Sequence, residues 1–186
     1  MNPNVVLLIA EGIGLAIVAL SLVTQQFKKM SRILMMEIVL NFMAGLSEFL
    51  KVGHMTSGAW VCLVASVNAL VMLLYMTFGN ADDRRIPNIL CVVFGVLHIA
   101  IGALSAARWY DVFSIAGAAL SSVAALQTKA RNYRIMRITN GCLWITYHAI
   151  AGNPYSLILN QVLCIISAAT AIWRLDIKKK KQEIAQ

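Results

Sequence analysis

Few side chains in this sequence could do chemistry, and most of them interrupt long apolar stretches. Glu11, Glu37 and Glu48 fall within the first two such stretches. An ionisable group there costs about 2.5–3.5 kcal/mol on insertion scales, so it points to a partner or a functional role. Glu11 lies too deep to reach the interface easily. It reads as a buried, partnered or protonated carboxylate, with simple packing as the alternative. Glu37 and Glu48 sit near the two ends of their stretch, and snorkelling to the interface accounts for both. Glu37, Asn41, Gly45 and Glu48 recur at i, i+4, i+8 and i+11, the spacing of one helix face. Asn140, Trp144, Tyr147 and His148 share a face in the same way. Such stripes can build a shared central pocket. They can equally serve helix-to-helix hydrogen bonding, worth about 0.6 kcal/mol per contact.

Enzyme chemistry finds no support. No Ser, His and acid set falls at one depth, and no Gly-rich phosphate loop occurs. His54, His98 and His148 lie on different segments, and no Cys pair has metal spacing, so neither a metal nor a cofactor is expected. Cys62, Cys91, Cys142 and Cys164 read as small apolar packing residues. His98 reads as a helix–helix contact.

The elements that must position these groups follow from composition. Of 186 residues, 60% are hydrophobic and only 13% charged. Soluble domains are usually about 45–50% apolar and about 25% charged. Seven apolar runs are placed: 5–23, 33–50, 59–78, 86–106, 109–126, 135–151 and 155–173. In hydrocarbon only helices or closed barrels satisfy the backbone, and continuous rather than alternating runs select helices. The first run lacks a basic flank and an A-x-A site, so it reads as a retained helix and not a signal peptide.

The net charge of +8 reflects topology rather than nucleic acid. With seven helices and the N-terminus outside, the cytoplasmic segments hold Lys28, Lys29, Arg32, Arg84, Arg85, Lys129, Arg131, Arg134, Arg137, Arg174 and Lys178–Lys181. Only Lys51 and Arg108 remain outside. Residues 1–177 thus read as one polytopic membrane domain and 178–186 as a basic cytoplasmic tail that also touches anionic lipid. Residues 79–85 form the one conspicuous polar loop, and Gly152-Asn153-Pro154 a tight outer turn. Trp60, Trp109, Tyr155 and Trp173 mark the interfaces as an aromatic belt.

The first three and last three spans match in loop lengths and charges. A shift of 99 residues pairs Arg32 with Arg131, Asn41 with Asn140, Gly53 with Gly152, Ser57 with Ser156 and Ala69 with Ala168. The expected fold is therefore an all-α membrane protein with two parallel three-helix repeats, about 5–78 and 109–173, joined by a linker helix over 86–106 (3+1+3).

The stretch Ala10-Glu11-Gly12-Ile13-Gly14, then Gly53 with Ser57-Gly58-Ala59, resembles the first half of the YgjV-like bacterial inner-membrane proteins. Ile115-Ala116-Gly117, Cys142-Leu143-Trp144, His148, Ala151-Gly152 and Trp173-Arg174 resemble the second half. That family is similar in layout to the SWEET and PQ-loop transporters. The resemblance implies an Asn on the third span facing a partner on the seventh across a solute. Asn68 fits the first place, Ser167 stands at its repeat position, and Asn160 lies on the same face.

The sequence departs from that pattern. It has no Pro-Gln dipeptide and no proline inside spans 1, 2, 5 and 6, although Gly12, Gly14, Gly45 and Gly117 could bend or closely pack them. The reading is a SWEET-like carrier of a small polar or weakly anionic metabolite. The alternative is a non-transporting receptor or accessory protein. Substrate-binding candidates are Glu11, Asn41, Asn68, Asn140, Trp144, Tyr147, His148, Asn160 and Ser167. The expected partners are the lipid bilayer and a small polar solute, with no nucleic acid; a homo-oligomer is compatible.

The charge asymmetry makes a test. In intact cells, single cysteines replacing Lys28 and Lys129 should resist an impermeant thiol reagent, whereas those replacing Lys51 and Asn153 should react. Opposite sidedness of positions 28 and 129 would break both the span count and the parallel repeat.

Overall fold

A computed structural model describes residues 3–79, 85–127, 129–153 and 155–178. They form seven α-helices: α1 (Pro3–Thr24), α2 (Met30–Val52), α3 (Ser57–Phe78), α4 (Arg85–Ser105), α5 (Asp111–Ala125), α6 (Ala130–Ala151) and α7 (Tyr155–Ala171). α7 runs on into a wider π-helical winding, Ile172–Lys178. No strand occurs among the described residues. The polar loop at 80–84, Pro154 and the tail from 179 on lie outside them.

Each apolar run becomes one helix, with two corrections. α5 is only 15 residues long, because Asp111 begins it with Oδ2 accepting from Ala107 and Arg108 N–H, both at 2.9 Å. α6 starts at Ala130 rather than 135, so Arg131 and Arg134 join Arg137 in its first turns and do not belong to a loop. Apolarity marks where a helix meets lipid, not where its backbone begins. α1 to α4 and α7 with part of its π winding are long and apolar enough to cross a membrane. α5 is too short by that measure, and α6 carries the three arginines.

α2 and α6 enter and leave alike. Lys29 (φ −93°, ψ 128°) and Lys129 (φ −97°, ψ 122°) precede them in extended backbone. Gly53 (φ 78°) and Gly152 (φ 63°) end them in the left-handed region, with their N–H groups returning to the carbonyls of Phe49 and His148. A side chain there would cost about 1–2 kcal/mol, so glycine at both positions sets where each helix stops.

The helices pack as a ring in the order α1, α2, α3, α5, α6, α7 and back to α1. α4 lies outside it against α3 and α5. Phe94, His98 and Gly102, four residues apart, form its buried stripe. The His98 Nδ1 lies 2.7 Å from the Phe94 carbonyl and 2.9 Å from Ser122 Oγ, tying α4 to α5 as the helix–helix reading expects.

Inside, the chain is inverted relative to a soluble protein. Leu8, Leu15, Phe42, Val67, Leu74, Ile89, Val92, Val96 and Ile166 face outward, while Gln25, Glu37, Glu48, Asn68, Arg134, Arg137, Asn140 and Gln161 are buried. An apolar exterior of this extent needs lipid around it. Trp60, Trp109, Tyr155 and Trp173 are also exposed, as an interfacial belt requires.

Small residues let the helices close up. A Cβ at Gly45 would meet the Ala59 carbonyl at 3.1 Å, and one at Gly117 would meet Trp144 Nε1 at 2.9 Å, whereas Gly12 faces open space. Gly45 and Gly117 are therefore close-packing positions.

At the basic end of the ring, Met30, Ile33, Leu34, Met72, Ala124 and Tyr133 form an apolar plug. Arg134 locks the adjoining α1–α2 connection: its Nε donates to the Gln25 carbonyl at 2.9 Å and Nη2 to the Phe27 carbonyl at 2.6 Å. Hydrogen bonds to charged groups contribute about 1.5–3 kcal/mol. Arg134→Met should therefore lower unfolding stability in mixed micelles by about 2–3 kcal/mol. Arg131→Met, at an exposed position on the same helix, should leave it unchanged.

Candidate functional site

Three cavities follow one another through the ring. The widest, about 200 Å³, opens at the end of the bundle that holds Lys51, between α2, α3, α5 and α6. Glu48 and Tyr147 lie at its floor. Two smaller ones of about 20 Å³ each lie deeper. Each is about large enough for one water. Glu48 borders both the wide cavity and the first small one. Asn41 and Arg137 border both small ones. The side chains that separate the cavities are thus themselves polar.

The floor of the wide cavity is built from three helices. Glu48, 1% exposed, accepts from the Tyr147 hydroxyl at 2.7 Å and from the Thr56 hydroxyl at 2.5 Å. Thr56 is the N-cap of α3, and its oxygen also accepts from Ala59 N–H at 3.1 Å. A Cβ at Gly58 would reach 2.6 Å from Glu48 Oε1, so glycine there makes room for the carboxylate. Beside it, Asp111 fixes the turn into α5, and Arg108 donates to the Tyr110 hydroxyl. Arg108, held by that contact, has its pKa raised further above the usual guanidinium range.

In the middle layer, Trp144 stacks on His148 with ring centroids 5.4 Å apart at 29°. Asn153 Nδ2 lies 2.9 Å from His148 Nδ1, which makes that nitrogen the acceptor and leaves the ring proton on Nε2. Asn160 accepts from Ser21 Oγ at 2.5 Å, linking α7 to α1.

The innermost cavity is lined by Glu37, Asn41, Asn68, Ser121, Arg137 and Asn140, with Tyr133 below. Glu37 Oε1 and Arg137 Nε stand 3.9 Å apart, an ion pair across the ring from α2 to α6. Asn41 Nδ2 donates to the Glu37 carbonyl at 2.8 Å and lies 3.4 Å from Glu37 Oε2. Asn140 Nδ2 donates to Ser121 Oγ at 2.9 Å.

The structure sorts the nine expected residues. Asn41, Asn68 and Asn140 share the innermost cavity; Asn41, Trp144, His148 and Asn160 share the next; Tyr147 lines the wide one. Glu11 and Ser167 join none of these. Glu11 is half-buried and accepts from Ser156 Oγ at 2.7 Å on α7. Ser167 donates to the Leu22 carbonyl at 2.9 Å and receives Gln26 Nε2 at 3.0 Å, so it fastens α7 to α1.

Snorkelling is overturned for Glu37 and Glu48: both are buried and face the ring interior, because partners on α6 await them. Arg137 is the main omission. It lies three residues before Asn140, on the same helix face, and that spacing was the available signal. Ser121 and Tyr133 carried none. Among the described residues no three His, Cys, Asp or Glu side chains gather as metal ligands would.

Residues 8–179 match the family model Imp-YgjV, a bacterial inner membrane protein family. No curated protein and no solved structure gives a significant match. The match covers nearly the whole chain, and the chain belongs to this family.

Tyr147→Phe keeps the ring and removes the hydroxyl that binds Glu48. A hydrogen bond to a charged group is worth about 1.5–3 kcal/mol. Unfolding stability in detergent should fall by about that amount. Phe113→Leu, on the rim of the same aromatic cluster, should cost less than half as much.

Proposed function

We propose that this bacterial inner membrane protein of the Imp-YgjV family is a carrier of a small polar or weakly anionic metabolite, which it moves without transforming it. One observation carries the reading: Asn41 and Asn140, which the 99-residue shift superposes, line one cavity together with Asn68, Glu37 and Arg137. In a bundle of two parallel repeats, equivalent residues meet at the axis that relates them, and repeat-built carriers hold their solute there. Glu48 and Tyr147, equivalent under the same shift, are hydrogen-bonded to each other.

The proposed arrangement is 3+1+3, with α1–α3 and α5–α7 as the repeats and α4 as the linker. α5 and α6 then span with the rest: the ring encloses them, with Arg134 hydrogen-bonded to the Gln25 and Phe27 carbonyls and Arg137 paired with Glu37. The charge asymmetry supports an N-terminus outside and a C-terminus in the cytoplasm. The wide cavity is then the external entrance, and the plug around Met30, Leu34 and Tyr133 the closed cytoplasmic exit. The likeness of layout to SWEET and PQ-loop transporters belongs to this reading.

A second reading, a receptor or accessory protein that does not transport, has its own support. The entrance is about tenfold larger than either inner cavity, and α1, α2, α5 and α6 contain no internal proline hinge.

Uptake of a labelled solute panel into proteoliposomes separates the two. A carrier accumulates or exchanges at least one solute, and Trp144→Ala should weaken binding of that solute about tenfold, or about 1.4 kcal/mol, while the protein stays folded. Saturable binding with no flux would favour the receptor.

A further inference from the structure

The buried atoms left without a hydrogen-bond partner point to one place. Glu37 Oε1 and Arg137 Nε both lack one, and so does Asn140 Oδ1. All three residues are more than nine-tenths buried and line the innermost cavity. The two charges face each other at 3.9 Å, beyond hydrogen-bonding distance. Taking a carboxylate and a guanidinium out of water is costly, and the pair offsets that only when its remaining donors and acceptors are used. Here the nearest ones are idle and aimed at a common space.

The charge of an inserted group decides what fits. An anion would satisfy Arg137 and repel Glu37, leaving the site with a net negative charge deep in the bundle. A cation would do the reverse. A neutral solute would spread the pair without replacing the lost attraction. A molecule carrying both an ammonium and a carboxylate places its negative end on Arg137 and its positive end on Glu37. Four charges then alternate, with no net charge in the low-dielectric interior.

We propose that the space between Glu37 and Arg137 is a binding site for a small zwitterion, of the α-amino-acid kind. The ammonium also meets the idle Asn140 Oδ1. Asn41 and Arg137 are the shared walls of the two inner cavities, so a swing of the Arg137 side chain joins them and makes room beneath Trp144 and His148. This deepens the carrier reading, on whose central site it rests.

The test uses the full-length protein in detergent. Glycine and L-alanine, acetate, methylamine and glucose are titrated at neutral pH, with binding followed by calorimetry. Glycine or L-alanine should bind at least tenfold more tightly than the other three. Glu37→Gln and Arg137→Gln should each weaken zwitterion binding about tenfold or more, and Glu37→Gln should also raise the relative affinity for acetate.

Either single variant leaves one buried charge unpaired and can fail to fold. The double variant Glu37→Gln/Arg137→Gln leaves none, so it should fold and lose zwitterion binding. Wild-type zwitterion affinity in the folded double variant overturns the proposal. So does tighter binding of glucose or acetate than of both amino acids, or binding of nothing on the panel. Uptake of a sugar into proteoliposomes with no zwitterion binding sinks this assignment and leaves the carrier reading standing. Zwitterion binding without flux does the opposite.

Discussion

Hydrocarbon offers no hydrogen bonds, and that constraint shapes the whole chain. A polar side chain within the bundle finds its partner in its own helix, as Thr77, Thr146 and Thr170 do with a carbonyl four residues back, or on another helix along the ring. The ring therefore turns its amides, carboxylates and guanidinium groups inward and its leucines, valines and isoleucines outward. Where Gly45 lets the backbone at Ala59 approach and Gly117 makes room for the Trp144 side chain, dispersion replaces the hydrophobic driving force that lipid removes. Several polar contacts join one helix to another: Tyr147 to Glu48, Ser21 to Asn160, Ser156 to Glu11. The polar axis is the cost of building with these residues.

The number of helices, their approximate bounds and their order were legible in the sequence, because hydrophobic runs about one bilayer thick can only be helices. Both polar stripes were legible from helical spacing, and Asn41, Asn140, Trp144 and His148 line the ring as that spacing demands. The errors share one cause. Charge near the end of an apolar run was read as charge outside the membrane, so α6 began five residues late and Arg137, inside the run, was still counted with the cytoplasmic charges. Glu37 and Glu48 were sent to the interface for the same reason. A partner that lies about 100 residues away in sequence cannot be seen from local composition, and it alone decides whether a carboxylate snorkels or turns inward. Glu11 shows the converse. It was expected to be partnered, and it is half-buried and bonded to Ser156 on α7 rather than facing the ring cavities.

The two ends of the ring are closed by different physics. At the basic end an apolar plug and the Arg134 lock fix a loop through backbone carbonyls, which no substitution of the loop side chains removes. At the other end side-chain hydrogen bonds link α2, the start of α3 and α6 around a single carboxylate. The wide cavity stands on the side of the carboxylate cluster.

Thr56 has one hydroxyl proton and gives it to Glu48, while its oxygen holds the first turn of α3 through Ala59 N–H. Donating that proton strengthens the oxygen as an acceptor, so the two bonds reinforce each other. Losing an N-cap interaction typically costs a helix about 1 kcal/mol. Any movement that draws Glu48 away therefore loosens the start of α3 as well. The amide protons of residues 57–59 would then exchange with solvent at a rate set by the carboxylate, and the first turn of one helix becomes a local reporter of what stands at the mouth of the bundle.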